Sequence, residues 1–136
     1  MPPRPGRTSA RLLARSLGAA ALFAASLTVG LPARAQEAAV IQVRMPDPLS
    51  PAARAVKYSE PLDGALRREG IGRVLGGSTE LSRDRRIVSI GMEIEVRDLD
   101  RGVPFVRRAL RELGAPQGSM VEFERFGLAV ELPVHE

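Results

Sequence analysis

From Val88 to Arg97 the chain alternates without a break: Val88, Ile90, Met92, Ile94 and Val96 are apolar, and Ser89, Gly91, Glu93, Glu95 and Arg97 stand between them. Successive side chains of a strand point to opposite faces, so this run belongs in a sheet with one face in a core and the other in water. A helix would scatter the five apolar residues around its circumference. A sheet buried on both faces would take two glutamates and an arginine into the interior. The rest of the chain must therefore supply partner strands and one layer that covers the apolar face.

Two amphipathic helices supply that layer. A start signal at Ser59-Glu60-Pro61 opens a helix through Glu69, where Tyr58, Leu62 and Leu66 lie four apart on one face, and Gly70 stops it. Val103, Val106, Leu110 and Leu113 recur at spacings of three, four and three, with Asp98 or Asp100 as the cap and Gly114 as the stop. Pro104 requires a place in the first turn of that helix. Ser50-Pro51 suits a short helical turn over residues 52–56. Strands are expected at Val40–Met45, stopped by Pro46-Asp47-Pro48, and at Ile71–Leu81, where Gly76-Gly77 marks a bulge. Ser82–Arg86 is a polar turn, Met120–Phe126 a strand, Gly127 a tight turn, and Leu128, Val130 and Leu132 alternate with Ala129 and Glu131 as a final short strand. The order βαββαβ plus a C-terminal strand predicts an α+β, two-layer sandwich: an antiparallel sheet with two helices on one face.

Charge divides the chain at residue 35. The sequence of 136 residues carries 20 Lys plus Arg against 16 Asp plus Glu. Five of the basic residues, Arg4, Arg7, Arg11, Arg15 and Arg34, lie in residues 1–35 with no acidic residue, so 15 face all 16 acidic ones beyond. The apparent basic excess belongs to that segment, and residues 36–136 are near neutral, which argues against a nucleic-acid partner. The first four arginines precede an uncharged run, Leu17–Leu31, and Ala33-Arg34-Ala35 places small residues where a signal peptidase reads. Residues 1–35 are expected to be a secretory signal cleaved near Ala35-Gln36, leaving a single domain, 36–136, in the periplasm or outside the cell. The run is too short for a spanning helix, so no stable membrane anchor is expected after cleavage. There is no cysteine, which excludes disulfides, thiolate nucleophiles and Cys-ligated zinc.

The split βαβ order resembles the ferredoxin-like architecture. Tyr58-Ser59-Glu60-Pro61-Leu62, Gly76-Gly77-Ser78, the run Ile90–Asp98 and Leu110-Arg111-Glu112-Leu113-Gly114-Ala115-Pro116 also resemble small uncharacterised bacterial domains of the immunity type. The resemblance implies the fold and assigns no active site. Domains of that architecture also serve as prosegments and inhibitors, which makes an inhibitor of a secreted enzyme the second functional expectation.

Candidate sites are few. His135, the only histidine, lies one residue from the end, where a frayed terminus cannot hold a base or a metal ligand. Gly76-Gly77-Ser78-Thr79 lacks the lysine and spacing of a phosphate loop and reads as a bulge. Asp98-Leu99-Asp100-Arg101-Gly102 lacks the remaining ligands of a calcium loop and reads as a helix cap. The strongest constellation is acidic: Glu93 and Glu95 on one strand and Glu122 and Glu124 on another, with Glu80 nearby, would gather on the open face of the sheet. Arg73, Arg97 and Arg125 would neutralise them across strands if the face is only solvated. Arg101, Arg107, Arg108 and Arg111 form the opposite candidate, a basic helix face. Aromatic residues for stacking are scarce, and Tyr58, Phe105, Phe123 and Phe126 are mostly assigned to the core. The sequence therefore predicts a non-enzymatic module, without a cofactor, that binds a protein through its open face or an edge strand. A domain that binds a small ligand or a divalent cation through the open-face carboxylates is the third expectation.

Overall fold

The computed structural model describes residues 37–136. The expected signal segment and its cleavage site lie outside them. Five strands form one antiparallel sheet: β1 (Ala39–Met45), β2 (Gly72–Leu81), β3 (Ile87–Val96), β4 (Met120–Arg125) and β5 (Leu128–Pro133), in the spatial order β2-β3-β1-β4-β5. The helical elements are α1 (Pro51–Arg54), a π-helical stretch (Ala55–Ser59), α2 (Glu60–Arg68) and α3 (Leu99–Glu112).

The alternation of β3 sets the layers. Ile90, Met92, Ile94 and Val96 are buried and share one core with Ile41, Val43 and Met45 of β1 and Val121 and Phe123 of β4. Tyr58, Leu62 and Leu66 join that core from one helical segment, and Val103, Val106 and Leu110 join it from the other. Both helical segments therefore cover the same face. Val88 departs from the pattern: the register shift that pairs Leu81 with Ile87 passes it over, and it is exposed while Ile87 packs against the core.

Helix ends follow their local chemistry. Ser50 Oγ accepts from the Ala53 amide, with Pro51 at the first helical position. Asp98 caps α3 by accepting from the Arg101 amide at 2.9 Å. Gly70 and Gly114 stop their helices in the left-handed region, at φ 63° and 86°. In both cases the next residue donates back to a carbonyl five residues earlier, Ile71 to Leu66 and Ala115 to Leu110.

Two helical expectations are corrected. Ser59 is not a cap: its backbone is helical, and the chain runs from α1 into α2 through the π-helical turn, which widens the spiral without breaking it. Its hydroxyl contacts Met92 Sδ instead. Pro104 lies past the first turn of α3. Its ring is exposed, so the carbonyl that loses its donor there is left to water.

β2 is irregular where the glycine pair predicted. Its register against β3 shifts between Val74 and Gly76 and again between Glu80 and Leu81. The Arg54 guanidinium lies across β2 at Gly77, where a Cβ would stand 2.6 Å from it and push this flexible side chain aside, and it donates to the Ser78 carbonyl. The glycine-rich stretch is thus strand, with a helix side chain packed over it.

Candidate functional site

The open face gathers most of the acidic residues expected there. Register places Glu95 opposite Val40, and Glu93 opposite Gln42, which itself faces Glu122. Glu122 in turn faces Glu131, and Glu124 faces Ala129. Gln42 and Val40 therefore stand between the carboxylates of β3 and those of β4, roughly 10 Å apart at two strand spacings. Among the described residues no three His, Asp or Glu side chains are placed to hold a metal ion.

Neutralisation differs from the expectation. Arg73 Nε meets Glu95 at 3.0 Å, as its register allows, but Arg44 is the second counter-charge, reaching Glu131 at 3.3 Å. Arg125 has the parity of Val121 and Phe123, so it turns to the helix side and meets Asp100 at 2.7 Å. Arg97 lies at the end of the sheet, lining a cavity of about 410 Å³ with Arg67, Arg73, Gly70, Gly72 and Glu95. Glu80 is apart from the band. It faces Ser89, whose hydroxyl donates to it, two strand rows beyond Glu93.

The basic helix face is not a free surface. Arg107 Nε donates to the Pro133 carbonyl at 2.8 Å and Arg111 Nη1 to the Val134 carbonyl at 2.7 Å. These two arginines bind the C-terminal segment. Arg108 lies over the Phe105 ring at 5.5 Å, and Arg101 is exposed in the first turn of α3. The chain end is correspondingly held, contrary to the fraying expected of it: Val134 is fully buried, its amide donates to the Ser119 carbonyl, and His135 Nε2 lies 2.6 Å from the Ala115 carbonyl. Helix side chains and core burial outweigh terminal entropy here.

Phe126 is the residue that sequence reasoning misplaced. Instead of entering the core it sits in the two-residue turn between β4 and β5, 95 % exposed, at φ 53° beside Gly127 at φ 75°. Positive φ at both turn positions suits the right-handed twist of a hairpin and favours Asn-Gly. An aromatic residue there is strained by about 1–2 kcal/mol. Gly127 was the available signal, since a tight two-residue turn forces its first position into the same region. Leu128, next in sequence, is 69 % exposed. Beyond it, a groove of about 320 Å³ runs between α3 and β5, lined by Leu99, Val103, Pro104, Phe123, Val130 and Leu132 together with the Asp100–Arg125 ion pair. Two helical segments cannot roof five strands, so the inner face of β5 is only half covered.

Two half-buried carboxylates, Asp47 and Asp63, were missed as well. The Tyr58 hydroxyl donates to Asp47 Oδ2 at 2.7 Å, and Lys57 Nζ reaches the same oxygen at 2.9 Å. Asp63 accepts from the Val74 amide at 2.9 Å and from Arg67 Nε at 2.8 Å, tying α2 to the bulged strand. Both carboxylates serve the fold. Comparison with known protein families, with curated proteins and with solved structures gives no match.

Proposed function

We propose that the chain is an exported, non-enzymatic protein-binding module of ferredoxin-like topology, with a contact surface formed by the β4–β5 hairpin and the edge of β5. The strand order supports the topology, with β5 added beside β4. Export rests on residues 1–35. The observation that carries the surface is Phe126, a bulky aromatic kept in a left-handed turn position and almost wholly in water, beside the exposed Leu128. Folding gains nothing from that placement. Exposed aromatic anchors are where protein interfaces concentrate their affinity.

Phe126→Asn therefore separates the two roles. Asparagine tolerates the left-handed region, so the variant is expected to be more stable by about 1 kcal/mol in chemical denaturation. Its capture of a partner from the extracytoplasmic fraction should weaken by on the order of 30-fold, the loss of one anchor worth about 2 kcal/mol. Glu93→Arg with Glu95→Arg, on the open face, should capture as the unmodified chain does. Retained binding in Phe126→Asn with lost binding in the open-face variant would move the site to the acidic face.

A further inference from the structure

We infer that the β5 edge is a self-association surface and that its partner is a second copy of this chain, paired antiparallel about Val130. The inference rests on the reading of that edge as the contact surface. β5 is the last strand of the sheet, and among the described residues none pairs with its outer side. The opposite edge is unsuited to pairing: β2 carries two register shifts, and its Val74 amide is taken by Asp63. Such irregularities are how edges avoid a further strand. β5 pairs with β4 without a shift from Leu128 to Leu132 and on to Pro133.

The direction of each backbone group follows from the ladder. The Val134 amide donates inward to Ser119, and a two-residue turn makes Leu128 an inward-bonded position. Even-numbered residues of β5 therefore spend their backbone groups on β4, and Ala129, Glu131 and Pro133 direct theirs outward. Pro133 has no amide to lose there, which is where an edge proline is tolerated.

Only one register uses this edge well. Pairing about Val130 sets Ala129 opposite Glu131 of the second copy, and the reverse by symmetry. Each of these two pairs exchanges both backbone hydrogen bonds, giving four. Pairing about Glu131 would oppose two glutamates and put Ala129 against Pro133, which cannot donate. Pairing about Ala129 would send Glu131 beyond the strand to Gly127. In the favoured register the inner face matches too: Val130 meets Val130, and the exposed Leu128 meets Leu132 at the groove lined by Phe123 and Val103. The contact is small, so association is expected in the weak class of interfaces.

The chain contains no cysteine, so an introduced one reports on register alone. Val130 lies on the two-fold axis in a pair that is not hydrogen-bonded, with Cα atoms about 4.5 Å apart, within disulfide reach. In the full chain, Val130→Cys should give a covalent dimer on mild oxidation with diamide, two thiols yielding one disulfide. Leu128→Cys alone should not, and a mixture of Leu128→Cys with Leu132→Cys should. By sedimentation, the unmodified chain should dimerise reversibly at high micromolar concentration, and Ala129→Pro should weaken this at least about tenfold. A chain that stays monomeric and does not cross-link through Val130→Cys overturns the second-copy inference. If Ala129→Pro still abolishes capture of some other protein, the edge remains the contact surface. Dimerisation or capture indifferent to Ala129→Pro overturns both.

Discussion

Leu110→Ala is expected to lower folding stability by about 2–5 kcal/mol, the cost of removing a buried leucine and leaving a cavity. For a domain of this size each kcal/mol shifts Tm by about 4–8 °C, so the melting point should fall by roughly 10 °C or more. Leu110 is fully buried in the core that α3 shares with β1, β3 and β4. The same helix is brought close at its other end by Gly102, where a Cβ would stand 2.8 Å from three side-chain carbons of Val96. A cavity at Leu110 therefore cannot be closed by sliding α3 inward without driving its first turn into β3. No disulfide offsets the loss. Gly102→Ala should lose about 1–3 kcal/mol through overpacking at the fixed end. Urea denaturation followed by circular dichroism measures both. A loss below about 1 kcal/mol for Leu110→Ala would mean that the helix relaxes freely over the sheet.

The features legible in the sequence were those with a period or a local rule. The alternation in β3, the spacing of Val103, Val106 and Leu110, and the glycine stops at Gly70 and Gly114 each depend on neighbours a few residues away, and each is where those rules place it. What escaped is decided across the fold. Arg107 and Arg111 read as a charged outer face because nothing local says that residues 133 and 134 return beneath α3 to be held by them. Arg125 read as a counter-charge for the acidic face, although its parity with Phe123 sends it to Asp100 on the other side. Asp47 read as part of a strand stop between two prolines, and its bond to Tyr58 spans a turn and a π-helical stretch with no signature. Phe126 was the costliest misplacement, because an aromatic residue at the end of an alternating strand is assigned to the core by default, and only the geometry of a two-residue turn overrides that.

The same distinction, between groups that hold the fold and groups left for a partner, governs the response to acid. Burial pushes the Asp47 carboxyl up, but the hydrogen bonds from the Tyr58 hydroxyl and from Lys57 outweigh it and hold the group below its usual value of 3.8. The amide of Val74 pulls Asp63 down in the same direction, against a smaller effect of burial and with help from Arg67. Both folded values lie below the unfolded ones, so the unfolded chain takes up protons first as pH falls. The stability these carboxylates contribute is complete above their unfolded value near 3.8 and is lost as pH drops through the lower folded values. Asp47→Ala should reproduce the effect at neutral pH, at a cost of about 1–3 kcal/mol, because it leaves the buried Tyr58 hydroxyl with only the Gly114 carbonyl at 3.4 Å. Tyr58→Phe should cost less, since Asp47 keeps Lys57. Denaturation midpoints taken from neutrality to roughly pH 2 test the linkage: Asp47→Asn with Asp63→Asn should start less stable and fall less steeply in acid than the unmodified chain. Parallel acid limbs in the two proteins would place the acid sensitivity elsewhere.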